Sequence, residues 1–153
     1  MLGRHADSLF WMARYLERSE NNARRIQAAF HYALSREDDG REEWKTIISE
    51  SDSEVVFRDK YSQLTLTDAV NFLLRDRDNV NSIITLIYKA RQNGRSVRAN
   101  LTQEVWLSLN ESWIACETAL KRPVRIRDLP GVLEGIIKGS SLFRGALYGT
   151  CLL

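Results

Sequence analysis

The chain has 153 residues, of which 44% are hydrophobic and 27% are charged, and only two are proline. Such a composition excludes disordered and fibrous classes, and a chain of this length buries roughly two thirds of its unfolded surface. We therefore expect one globular domain over residues 1–153. The net charge of +2 provides no global attraction for nucleic acid or an anionic membrane, so any charge-based function must be local.

The first predicted element is a long helix that starts after Asp7, a suitable N-cap, and continues to Leu34. No glycine or proline occurs in this stretch, and apolar residues recur in steps of three and four. The predicted helix is about 40 Å long. A polar turn over residues 35–40 ends it.

The middle of the chain predicts short helices over residues 42–50, 55–61 and 67–74. Asn79 then has the position of an N-cap for a longer helix from Val80 to about Ala99. Gly94 lies inside that helix, where glycine costs about 1 kcal/mol relative to alanine, so it indicates a close helix crossing.

Thr102 is predicted to cap the next helix, which ends at Pro123. The last helical stretch, residues 132–148, is predicted to be weak or broken because glycine recurs in it and just beyond it. Those glycines are Gly135, Gly139, Gly145 and Gly149. Strand patterns are nearly absent, so the sequence predicts an all-α fold, an antiparallel bundle of five or six helices.

The first helix carries a band of charged and amide residues at helical spacing, formed by Arg14, Glu17, Arg18, Asn21 and either Arg24 or Arg25. Glu20 differs from this band because it falls in register with the apolar residues, so we expect it to face the core. The alternative is that this edge of the helix is solvated, with ion pairs that contribute less than about 1 kcal/mol.

The helix after Val80 shows a matching feature, because Arg91 and Arg98 occupy positions in its apolar three-four register. A buried unpaired charge costs several kcal/mol, so such residues need partners. We predict that Glu17 or Glu20 meets one of these arginines across a helix interface. The predicted polar seam therefore comprises Arg14, Glu17, Arg18, Glu20, Asn21, Arg24, Arg91, Arg98, and, as lesser members that are alternatively exposed, Glu104 and Asn110.

No residue pattern indicates a metal or cofactor site, because Cys116 and Cys151 lie outside any CxxC motif and His5 and His31 have no partner pattern. We also find no export signal and no apolar run of membrane-spanning length. The expected compartment is the cytoplasm.

Four stretches resemble the bacterial alpha-E domain family, which is named for a Glu-Arg motif, here Glu17-Arg18. The stretch 11–24 is similar to the family's signature, and residues 78–98, 104–110 and 143–150 are similar to later segments. The resemblance implies an all-helical domain, usually duplicated in tandem. It also implies a gene neighbourhood of circularly permuted ATP-grasp ligases, transglutaminase-like proteins and an N-terminal-nucleophile peptidase, which serve peptide synthesis or modification.

The chain is similar to about the first half of a typical family member, so we expect it to be the N-terminal half of such a duplication. The missing half would leave apolar surface uncovered on the last helix. We therefore expect self-association or poor solubility unless a second copy covers that surface.

These features lead to three functional hypotheses. The first is a non-catalytic helical accessory module that binds an ATP-grasp ligase, a transglutaminase-like protein or their peptide. The second is an enzyme of amide formation or cleavage with Glu17 or Glu20 as acid or base, in which arginines of the polar seam hold a substrate carboxylate. The third is a dimerisation scaffold.

Overall fold

The computed structural model describes residues 2–38 and 40–151, which form seven α-helices. Their bounds are α1 Leu2–Leu34, α2 Arg41–Glu50, α3 Glu54–Lys60, α4 Leu66–Arg75, α5 Ile83–Ser96, α6 Gln103–Leu120 and α7 Leu129–Cys151. Short 3₁₀ turns cover Arg98–Asn100 and Ile126–Asp128. No strand occurs within these ranges, and the predicted all-α fold is confirmed.

Helices α1, α5, α6 and α7 form a four-helix arrangement in which α1 and α6 each pack against both α5 and α7. Helices α1 and α5 run antiparallel. Ser96 at the end of α5 donates to Ser8 near the start of α1, at 3.2 Å between hydroxyl oxygens. Asn22, further along α1, donates to the carbonyl of Asn81, just before α5, at 3.1 Å. The shorter helices α2, α3 and α4 continue the packing beyond this end of the bundle.

Gly94 marks the close helix crossing that its place in the sequence predicts. A Cβ added there would collide with the Leu109 side chain of α6 and lie 3.1 Å from Sδ of Met12 on α1. Leu109 and Met12 are both fully buried. The absence of a side chain at Gly94 therefore lets α5 approach both neighbours at the centre of the core.

Helix α5 is shorter at both ends than the sequence predicts. Its N-cap is Ser82, whose hydroxyl accepts from the Thr85 backbone N–H at 3.4 Å, and not Asn79. Val80 is exposed, and Arg98 lies in the 3₁₀ turn after the helix. The apolar register predicted for the helix after Val80 is therefore interrupted at each end.

Asn79 organises a buried polar junction instead of capping a helix. It is 0% exposed, and its Oδ1 accepts from the Ser53 hydroxyl at 2.6 Å and from the Asn81 backbone N–H at 3.0 Å. Its Nδ2 donates to the Phe72 carbonyl at 3.2 Å. One amide thereby connects α4, the start of α3 and the segment before α5.

Two helices are longer than predicted. Helix α1 begins at Leu2, ahead of the predicted cap Asp7, and α7 is continuous from Leu129 to Cys151 despite its glycines. Leu133 and Phe143 of α7 are almost fully buried, so packing outweighs the helix-propensity cost of the glycines. Within the described ranges, no helix combines the length and apolarity needed to cross a bilayer.

Replacing Asn79 with alanine should destabilise the protein by about 2 to 4 kcal/mol, because it leaves buried hydrogen-bonding groups without partners. Asn100→Ala is the matched control, since Asn100 is exposed and its side chain bonds only to His5 among the described residues. We expect the control to change stability by less than about 0.5 kcal/mol. Urea denaturation followed by circular dichroism measures both, and equal effects would contradict the role of Asn79.

Candidate functional site

Glu20 is the buried charge of the bundle, with only 3% of its surface exposed. This confirms the expectation that its register turns it toward the core. Its Oε2 accepts a hydrogen bond from Nη1 of Arg144 on α7, and the two side chains form an ion pair across the α1/α7 interface. Arg144 remains 42% exposed and also donates to the Ser141 hydroxyl at 3.3 Å.

The second oxygen of Glu20 is held less closely. Oε1 lies 3.7 Å from Nη2 of Arg24, one helical turn further along α1, and no described residue donates a hydrogen bond to it. A separation of 3.7 Å is an electrostatic contact and not a hydrogen bond. Two guanidinium groups therefore compensate the buried charge, but only Arg144 bonds to it.

The predicted pairing of Glu17 or Glu20 with Arg91 or Arg98 is wrong. Among the described residues, neither carboxylate contacts either arginine, and Glu20 pairs with Arg144 instead. The physical reason is the arrangement of the helices. The face of α1 that carries Glu20 packs against α7, whereas the two arginines lie beside α6.

Arg91 and Arg98 form a separate group with the aromatic and amide residues of α6. Arg91 Nε donates to Asn110 Oδ1 at 3.0 Å, so the structure does bring these two members of the predicted seam together. The Arg98 guanidinium lies 5.0 Å from the Trp106 ring centre, within cation–π range. Glu104 is exposed in the first turn of α6 and does not join this group.

The outer band on α1 is solvated, as the alternative interpretation of the sequence predicts. Glu17 accepts from Arg14 at 3.0 Å, and these side chains are 53% and 49% exposed. Arg18 is half-buried, while Asn21 and Arg24 are exposed. An exposed ion pair of this kind contributes less than about 1 kcal/mol.

A cavity of about 330 Å³ lies between α1 and α7 beside the ion pair. Glu17 and Arg144 both border it, so a carboxylate and a guanidinium line the same cavity. Its volume is at the lower end of the range for small-molecule sites. The remaining lining residues are Ala13, Leu16, Ser140, Phe143, Leu147 and Tyr148.

A larger concavity of about 800 Å³ runs between α6 and α7. We call it the α6/α7 groove and define it by Leu107, Glu111, Cys116, Gly131, Gly135 and Leu142. Its lining is predominantly apolar.

Cys116 lies at the floor of this groove as an unreactive thiol. Burial raises its pKa to about 12, an effect that nearby Arg77 only partly offsets. Because the thiolate is the nucleophilic form, this environment does not suit nucleophilic catalysis.

The Cys151 side chain lies outside the described residues. No group of three or more His, Cys, Asp and Glu residues that could hold a metal occurs in the described ranges.

Arg144 is the member of the candidate site that the predicted seam lacks, although the sequence contains a signal for it. It continues a three-four register of apolar and small residues along α7, formed by Leu133, Ile137, Ser140, Arg144 and Leu147. The same criterion selected Arg91. In α7 this register is less evident from the sequence, because the glycines predict a weak or broken helix.

Comparison with known proteins identifies one family. The family model named Alpha-E, described as a predicted alpha-helical domain with a conserved ER motif, matches residues 1–152. The family resemblance of the sequence is thus confirmed over essentially the whole chain. No curated protein and no solved structure matches.

Removing the buried carboxylate with Glu20→Ala should destabilise the protein by about 2 to 4 kcal/mol, because Arg144 then keeps a partly buried charge without its partner. Glu17→Ala is the matched control on the same helix, and we expect a loss below about 1 kcal/mol since its ion pair is exposed. Chemical denaturation of both variants provides the comparison. A larger loss for Glu17→Ala would contradict this assignment.

The Cys116 thiol should make the protein less stable as pH rises above about 9. The unfolded thiol ionises near its ordinary pKa of 9.0, whereas the folded thiol holds its proton until about pH 12. At pH 10.5 the loss from this group is about 2 kcal/mol, and none arises below pH 8. Unfolding measured at both pH values should show a smaller decline for Cys116→Ala, and identical declines would contradict the burial of the thiol.

Proposed function

The chain belongs to the Alpha-E family, and on that premise we propose that it is a non-catalytic helical binding module of a peptide synthesis or modification system. Its partner would be a circularly permuted ATP-grasp ligase, a transglutaminase-like protein or the peptide on which they act. The association follows from the family resemblance of the sequence. The structural observation that carries the non-catalytic assignment is the closed Glu20–Arg144 ion pair.

A general acid or base must reach the proton that it transfers, directly or through one water. Glu20 does not meet this requirement, because its carboxylate is 96% buried, as its 4% side-chain exposure shows, and one oxygen bonds to Arg144. Enclosed in this way, the carboxylate serves to connect two helices.

The ion pair also positions a surface that can bind a partner. Arg144 holds α7 against α1, and α7 forms one wall of the α6/α7 groove. Exposed apolar surfaces of this kind mark sites of protein interaction. A binding module therefore accounts for both the buried carboxylate of Glu20 and the open groove.

An enzyme of amide formation or cleavage is the second candidate, and the 330 Å³ cavity favours it. Glu17 borders this cavity and is half-exposed, so it is open to a bound substrate. Arg144, on the opposite wall, could hold a substrate carboxylate. In this case Glu17 would act as the acid or base, and the ion pair of Glu20 would position Arg144.

Glu17→Gln separates these two functions. The variant should capture the ATP-grasp or transglutaminase-like protein encoded in the gene neighbourhood as well as the wild type does. It should also support the wild-type rate of product formation in the reconstituted reaction. Pull-down and product formation measure the two properties. The matched control is Glu42→Gln, since Glu42 likewise accepts from a cation three residues away, Lys45, at 3.3 Å on the exposed face of α2.

Two results would contradict the binding module. One is the absence of any complex between the intact protein and these partners. The other is a loss of product formation of at least about 100-fold for Glu17→Gln, with folding and capture unchanged, because removal of an acid or base produces a loss of that size. The second result would favour the enzyme.

A further inference from the structure

The α6/α7 groove is as long as a helix of about four turns. It extends from Glu104 near the start of α6 to Ala119 near its end, a span of about 22 Å at the rise of an α-helix. At one end of the groove, Leu107 and Leu142 are 45% and 59% exposed. A groove with large apolar side chains at its edge suits the apolar stripe of an amphipathic helix.

Glycines in the α7 wall leave room for an occupant to approach closely. Gly131 and Gly135 lie one turn apart and line the groove, and a Cβ added at either would meet nothing within 4 Å. Gly139 differs, since a Cβ there would lie 2.8 Å from the Ser112 hydroxyl. Packing within the chain accounts for Gly139 but not for the other two, although glycine weakens a helix relative to alanine.

The charges along the groove specify the chemistry of the occupant. Glu104 and Glu111 lie on its α6 edge, seven residues apart and therefore on one face, about 10 Å from each other. Neither side chain takes part in an ion pair or hydrogen bond among the described residues, whereas Asp128 is engaged by Arg125 at 2.9 Å. Among the residues that the structure describes, Lys138 is the single cation that lines the groove.

We propose that the α6/α7 groove binds one amphipathic helix of about four turns, supplied by a partner protein, with an apolar stripe and two basic residues seven positions apart. The basic residues pair with Glu104 and Glu111, and the apolar stripe covers Gly131 and Gly135. This inference deepens the proposed function and rests on it, since it names the segment that the binding module recognises.

A second copy of the chain fits the charges less well. Two α6/α7 grooves placed face to face would bring four carboxylates, from Glu104 and Glu111 of each copy, against two Lys138 ammonium groups. Like charges at an interface oppose association. A basic helix, in contrast, leaves neither glutamate unpaired.

The test uses the full chain and a fluorescent synthetic peptide of 18 residues, with leucines at helical spacing and two lysines seven positions apart. A second peptide has glutamate in place of both lysines. Fluorescence anisotropy should show the lysine peptide binding at least about tenfold more tightly, with a smaller difference at 0.5 M salt because exposed charges are screened. Equal affinities, or no binding of either peptide, would overturn the proposal.

Charge reversal identifies the binding edge. Glu104→Lys combined with Glu111→Lys should remove the preference for the lysine peptide. Glu117→Lys is the matched control, because Glu117 is exposed on the same helix but borders a different depression. Retention of the preference in the double variant, or its loss in the control, would overturn the proposal.

A larger side chain in the α7 wall tests whether the groove is the binding site, and the protein should still fold. Gly135→Leu should weaken binding of the lysine peptide at least about tenfold while the melting temperature stays the same or rises, because the position is open and leucine favours helix. Gly145→Leu is the control, since Gly145 is equally open but lies outside the groove. Unchanged peptide affinity in Gly135→Leu would overturn the proposal.

Sedimentation velocity tests whether a second copy of the chain occupies the groove instead of a partner helix. The unliganded protein should sediment as the same species in wild type and Gly135→Leu. A wild-type dimer that Gly135→Leu dissociates would assign the groove to a second copy and overturn the proposal. Failure of the peptide assays with partner capture intact rejects only this inference, whereas peptide binding without capture rejects the proposed partners.

Discussion

The ion pair between Glu20 and Arg144 is the interaction on which the candidate site depends. A carboxylate that is 3% exposed is stable only when an opposite charge lies beside it, so Arg144 must stay against α1. This requirement fixes how α7 is positioned on the bundle. One face of α7 then closes over Glu20 and borders the 330 Å³ cavity, and another face forms a wall of the α6/α7 groove. The burial of Glu20 and the position of the α6/α7 groove therefore both depend on one contact.

The sequence was sufficient for properties that depend on local periodicity. Helix class and the inward direction of Glu20 follow from the three-four spacing of apolar residues, which a helix converts directly into a buried face. The close crossing at Gly94 could also be predicted, because a glycine inside a helix is costly unless a neighbour needs the space. Family membership followed from the motif around Glu17-Arg18 and is confirmed over residues 1–152.

The partner of Glu20 could not be predicted, because it depends on which helices become neighbours. Periodicity marks Arg91 and Arg144 equally, and only the packing of α7 against α1 decides between them. The glycines of α7 also made Arg144 a less evident partner. Their low helix propensity predicts a broken helix, whereas tertiary packing maintains a continuous one. The predicted role of Asn79 as a helix N-cap is wrong for a similar reason. Its amide satisfies three groups from separate segments, and this outweighs its local preference for a cap position.

A double-mutant cycle between Glu20 and Arg144 tests the central claim most directly. Free energies of unfolding for Glu20→Gln, Arg144→Gln and the double variant should yield a coupling energy of about 1 to 3 kcal/mol, because the two groups are in contact. The same cycle between Glu20 and Arg91 should yield less than about 0.5 kcal/mol, the value for separate sites. Negligible coupling to Arg144, or stronger coupling to Arg91, would contradict this account of the fold and its site.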